Sequence, residues 1–204
     1  MAEKGILYHG SYRQNLKVLK PMKSEYDKKN VYATSELVFA AVFISPDKNK
    51  MQSTCRLGGK NPYFCERTEG IFDKWYSGLK GSIYVLPKKD FTHLNKSIYV
   101  SEKKVDVLKE IKIKDTKEFL LNLEKQKKLR IIYYKDRKKM FPNDDDLIMT
   151  WIEDVSKWGL NATLKKIHKL QPKLERKFLK KLKEIKTKEN AEKQHMKKSK
   201  ITDA

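Results

Sequence analysis

Chemically competent side chains are few and widely spaced in this chain. Tyr8-His9-Gly10-Ser11 sets an imidazole, a glycine and a hydroxyl at the end of the apolar run Ile6-Leu7, a pattern that reads as a strand closing in a turn. Tyr32 lies in a second short run, Val31-Tyr32-Ala33-Thr34, and Glu102 follows a third, Ser97-Ile98-Tyr99-Val100. Each has an ordinary reading: His9 as a turn residue satisfied by backbone, Tyr32 as a half-buried strand tyrosine. Cys55 and Cys65 are ten positions apart, no C-x-x-C occurs and the four histidines are scattered, so no zinc site is expected. Nothing in that spacing demands a disulfide.

The elements that must position these groups follow from periodicity and breakers. Residues 6–11 read as a strand, 16–21 as a short extended segment, 23–30 as a polar loop and 31–34 as a brief strand. Thr34 or Ser35 is a plausible N-cap for a helix over 36–43, apolar nearly all round and so expected to be buried. Residues 46–80 carry Gly58-Gly59 and Pro62 among several aromatics and predict an irregular packed segment with short strands. Strands are expected at 81–86 and 97–100, with a half-buried strand over 105–113. Asp115-Thr-Lys-Glu118 matches a capping box opening a helix. Residues 131–134 could be an edge strand. Asp144 opens a helix that Gly159 ends, and Asn161 caps the next. Ile167, Leu170, Leu174, Phe178, Leu182 and Ile185 form an amphipathic stripe with Pro172 as a kink or restart. After about residue 187 apolar content is low, and a frayed or disordered end is expected.

The order Leu7-Tyr8-His9-Gly10-Ser11, then Val31-Tyr32-Ala33-Thr34 and an apolar helix, resembles the opening of the ADP-ribosyltransferase superfamily of the histidine–tyrosine–glutamate class. Its relatives include the rifampin ADP-ribosyltransferases and the RNA 2′-phosphotransferases. Gly81-Ser-Ile-Tyr-Val-Leu-Pro87 and Lys96-Ser-Ile-Tyr-Val-Ser-Glu-Lys-Lys-Val105 extend the resemblance, which covers residues 5–114. It implies an α+β fold with a split antiparallel sheet, and NAD as substrate. By the same resemblance His9 would hold a ribose hydroxyl, and Gly10 would let the backbone approach the nicotinamide amide, with Ser11 beside them. Tyr32 would stack on the nicotinamide ring. A carboxylate on the late strand would stabilise an oxocarbenium-like transition state. The family's glutamate is expected just ahead of Ile98-Tyr99-Val100, where this chain has Ser97. Glu102, five residues further on, takes that part only if the strand register differs.

Charge supplies the remaining expectation. The chain carries 47 Lys and Arg against 26 Asp and Glu, a net +21 over 204 residues. Residues 165–200 hold 15 Lys and Arg against 4 acids. That density is either compositional drift or the mark of a polyanion, with nucleic acid favoured over an anionic membrane and an acidic protein as a third option. No apolar run is long enough to span a bilayer, and Met1-Ala-Glu-Lys lacks the apolar stretch of a signal peptide, so a cytoplasmic location is expected. The expected organisation is an ADP-ribosyltransferase-like α+β domain over 1–128 and a basic, mainly helical extension over 129–204. Two functions follow: an NAD-binding ADP-ribosyltransferase-like protein acting on a nucleic acid, with His9, Tyr32 and Glu102 catalytic, or a catalytically inactive module of that fold that binds nucleic acid through its basic C-terminal region.

Overall fold

The computed structural model of the chain describes residues 5–23, 29–45, 52–57, 61–140 and 144–202. The chain divides into two compact units, Met1–Arg137 and Lys138–Ala204. In the first, the chain runs β1 (Ile6–Ser11), β2 (Val18–Leu19), β3 (Met22–Lys23), β4 (Lys29–Thr34), α1 (Leu37–Val42), β5 (Ser53–Arg56), β6 (Tyr63–Glu66) and α2 (Ile71–Tyr76). It continues through β7 (Gly81–Pro87), β8 (Thr92–Asn95), β9 (Ile98–Ser101), β10 (Val105–Asp106), β11 (Lys109–Ile113), α3 (Thr116–Lys125) and β12 (Arg130–Ile132). The architecture is α+β with a mostly antiparallel sheet.

The main sheet has seven strands in the order β11-β7-β1-β4-β9-β8, with β3 paired to β4. Strand β1 is central because both its faces are covered. Its odd residue Leu7 joins Leu19, Val31, Ala33, Tyr84, Leu86 and Val105 in one core. Its even residue Tyr8 packs on the other, built from Ala40, Ile44, Phe72, Ile83, Ile113 and Leu120. Strands β2 and β10 pair and lie over the first face. A smaller sheet, β12-β6-β5, holds the one parallel pair among the described residues, β12 with β6. The expected boundary between 128 and 129 therefore precedes the observed unit boundary, because Arg130–Ile132 supplies a strand to the first unit.

Gly10 and Gly81 are fixed by close packing. A Cβ on Gly10 would fall 1.8 Å from the carbonyl oxygen of Ala40, so α1 can lie on β1 only where a side chain is missing. A Cβ on Gly81 would meet Ile44 at 2.2 Å and the Ser11 carbonyl oxygen at 2.9 Å. Helix α1 is thus buried through Ala40, Ala41 and Val42, not all round: Phe43 is exposed, and Leu37, Val38 and Phe39 are half-buried. Its N-cap is Glu36, without a side-chain cap bond, while the Thr34 hydroxyl accepts the Glu36 N–H at 3.1 Å in a turn just before it.

Several expected elements differ in detail. The segment 46–80 contains a helix, α2, whose Ile71, Phe72, Trp75 and Tyr76 are all buried. Its N-terminus is served by Glu66, 2% exposed, whose Oε1 accepts the Phe72 N–H at 2.8 Å and whose Oε2 accepts the Tyr134 N–H at 2.9 Å. The run 105–113 breaks into β10 and β11 because the two pair with different strands. Cys55 and Cys65 are free thiols. Asp115 caps α3 as the capping-box pattern implies, accepting the Glu118 N–H at 2.9 Å.

The short helix α4 (Arg137–Met140) precedes α5 (Asp145–Trp158), α6 (Leu160–Leu170) and α7 (Glu175–Thr202). Gly159 both ends α5 and caps α6, which leaves Asn161 inside the helix. Pro172 sits in a 3-10 turn that restarts the chain as α7. The apolar stripe builds this unit's own core: Leu147, Ile148, Trp151, Ile167, Phe178 and Leu182 are buried, and Trp151 meets Phe178 edge-on at 6.2 Å. Helix α7 runs on to Thr202, past the point where a disordered end is expected. Lys and Glu are good helix formers, so low apolar content there does not end the helix. Among the described residues no helix is long and apolar enough to cross a membrane.

Gly10→Ala forces α1 off the sheet. We expect a loss of about 3 kcal/mol or more, read as a lower urea midpoint for the variant than for the wild type.

Candidate functional site

The two strands that carry the motif residues are neighbours. Strands β1 and β4 pair antiparallel with Tyr8 opposite Thr34. Just beyond that pair the His9 imidazole takes over, its Nδ1 lying 2.7 Å from the Tyr32 carbonyl oxygen. A carbonyl only accepts, so Nδ1 carries the proton, and in the neutral ring Nε2 is the acceptor nitrogen. The link between the two motif residues thus runs from an imidazole to a backbone carbonyl.

Strand alternation separates their side chains. Leu7 and His9 share one face of β1, and Val31 and Ala33 share that face on β4. Tyr32 has the opposite parity and shares the α1 side with Tyr8 and Gly10. Glu102 is exposed in the bend after β9, one residue past the Ser101–Val31 pair. That register carries Glu102 toward the start of β4 and His9 toward its end, a separation along the strand of about 10 Å. Ser97, where the family resemblance places a carboxylate, is buried in the β8–β9 turn. Its carbonyl oxygen accepts the Ser35 N–H at 3.0 Å, and its Oγ has no hydrogen-bond partner among the described residues.

A carboxylate that the sequence reading passes over stands on His9's own face. Tyr84 in β7 is opposite His9, and Glu110 in β11 is opposite Tyr84. Glu110 Oε1 accepts the Ser82 hydroxyl at 2.6 Å and the Asn15 N–H at 2.8 Å, with the Tyr84 hydroxyl at 3.3 Å. The Tyr84 hydroxyl donates to the Arg13 carbonyl at 2.8 Å and accepts the Leu16 N–H at 3.2 Å. Gln14 adds a bond to the Gly81 carbonyl at 2.8 Å. Residues 13–16, which follow the motif directly, are therefore tied to β7 and β11. Ser11 turns inward to this loop, its hydroxyl accepting the Arg13 N–H at 3.1 Å. The only hint of Glu110 in the sequence is a single acid inside a basic strand.

The hydrogen bond from Ser82, with that from the Asn15 N–H, holds the Glu110 carboxyl below its ordinary range. Burial holds the Tyr84 phenol above its own. Two shallow hollows, one along α3 and one between α5 and α7, touch neither His9, Tyr32 nor Glu102. Among the described residues no group of three or more His, Cys, Asp or Glu is placed to hold a metal ion.

Because the folded-state carboxyl is depressed, the stabilisation from Glu110 is full above the ordinary glutamate range and is lost as pH falls through the folded value. Glu110→Gln should flatten that acid limb, which urea midpoints at neutral pH and near pH ~4 would show. For His9, nitrogen-detected NMR of the imidazole should report Nδ1 protonated.

No protein-family model matches the chain, and neither the curated proteins nor the solved structures include a match to it.

Proposed function

We propose that the first unit is an NAD-binding domain of the ADP-ribosyltransferase type. The observation that supports this reading most is the His9–Tyr32 link. It holds the imidazole at the end of the β1–β4 pairing in the tautomer whose Nε2 can accept the hydrogen of a ribose hydroxyl. In this reading Tyr32 acts first through its carbonyl, as a positioning residue, and His9 touches the ligand. Residues 13–16, fastened by Glu110 and Tyr84, keep the strand end rigid. The buried Ser97 hydroxyl stands where the resemblance expects a carboxylate, so the reading is of dinucleotide binding.

Titration calorimetry tests it. Wild-type protein should bind NAD, and His9→Ala should weaken binding roughly tenfold or more. Tyr32→Ala, which keeps the carbonyl, should weaken it less. A wild-type protein without measurable NAD affinity would remove the reading.

A second reading is favoured by the second unit. Lys165, Lys166, Lys169, Lys173, Lys177 and Lys180 are all exposed on α6, α7 and the turn between them. Such a surface suits phosphate contacts that carry no sequence information. Binding to an RNA or DNA duplex should then fall steeply with salt and drop further in Lys166→Glu/Lys180→Glu, as gel shifts would show. Substitution serves better than truncation at Leu164, which would strip Ile167, Phe178 and Leu182 from this unit's core.

A further inference from the structure

The two edges of the main sheet are built differently. At one edge β8 is short, exposed throughout and shifted in register between His93 and Asn95. Irregularities of this kind blunt an edge against further pairing. At the other edge β11 makes five successive pairs with β7 without a break, from Lys109–Val85 to Ile113–Gly81. Among the described residues β7 is its sole strand neighbour, so its outer row of backbone N–H and C=O groups has no strand beside it.

Beside that edge lies a hollow of about 380 Å³ between the end of β11 and α3. Phe119 and Leu121 give it a half-buried apolar wall, and Lys112, Lys114 and Lys125 stand exposed at its rim. Its two acids are differently placed. Asp115 is occupied, one oxygen capping α3 and the other accepting the Gly78 N–H, and Glu118 lies exposed within the first turn. The cations therefore face outward. A second copy of this chain would bring Lys109 and Lys112 against their own kind, which disfavours self-pairing at the edge. An acidic strand meets the opposite situation.

We propose that β11 and α3 form a docking groove for an extended acidic peptide segment of a partner protein. The segment adds a strand to β11, sets alternate apolar side chains against Phe119 and Leu121, and places its carboxylates by Lys112, Lys114 and Lys125. Backbone pairing supplies affinity, and the lysine rim selects charge. The inference does not depend on NAD binding.

The test uses the full-length protein and a capped, fluorescent peptide alternating glutamate with valine. Anisotropy should show binding, and hydrogen exchange should show new protection of the β11 amides. Lys112→Glu/Lys125→Glu should weaken binding roughly fivefold or more, whereas Lys74→Glu/Lys103→Glu, an equal change of charge at exposed positions on α2 and in the bend after β9, should not. A peptide N-methylated at alternate residues, unchanged in charge, should lose affinity. The proposal is overturned by absent binding, by equal losses in both variants, by full affinity of the N-methylated peptide, or by protection confined to the lysine-rich helices. Peptide-independent protection of β11 that grows with protein concentration would also overturn it, in favour of a second copy.

Discussion

The approach of the α1 backbone to Gly10 sets the geometry of the first unit. With the Ala40 carbonyl where a side chain would otherwise be, the helix lies flat on the central strand. Ile44 then reaches over to Gly81 on the neighbouring strand. Packing density in a core leaves little room for adjustment at such contacts. The larger core, with Ile83 from the sheet and Phe64, Phe72 and Leu120 from beyond it, is assembled on the side this contact defines. A glycine after a histidine invites a ligand-binding explanation; here packing accounts for it without one.

On the other side of the same strand, which carries the smaller apolar core, polar groups fix the strand's end. His9 is held by a carbonyl, and the segment that follows is held by a carboxylate and a phenol. Each of these bonds crosses between strands or joins the loop to them, so the end of β1 has little freedom left. Ordering of this kind is costly for a chain. A site that must hold one ring in one tautomer benefits from having that cost met during folding.

The parts of the fold legible in the sequence were those with strong local patterns. Residues 6–11, 31–34 and 81–86 alternate or run apolar and are strands; Asp115 and Glu118 announce α3; Gly159 and Pro172 punctuate the second unit. Helix α2 was hidden because it is only six residues long: buried Ile71, Phe72, Trp75 and Tyr76 flank exposed Asp73 and Lys74, and fewer than two turns do not establish a period. Strand β8 was hidden for the converse reason, being exposed at every position. At the site, a common placement of His9 and Tyr32 is implied only by the family resemblance and by no local pattern. Their opposite parities are not, because face assignment depends on register, which only the partner strands fix. Glu110 escaped notice since its role is defined by Ser82, Asn15 and Tyr84, remote in sequence.

Glu66 has a temporal consequence. Its two oxygens serve α2 within its own neighbourhood and Tyr134, 68 positions downstream. Strand β12 likewise reaches β6 across about half the length of the unit. During synthesis the small sheet must wait for the chain to extend past residue 134 before this carboxylate gains both partners. Closing so long a loop is slow compared with forming the antiparallel β5–β6 pair. A nascent chain halted near residue 129 would expose one side of β6 and leave that oxygen unmet, and would be a substrate for chaperones or proteases until elongation resumed.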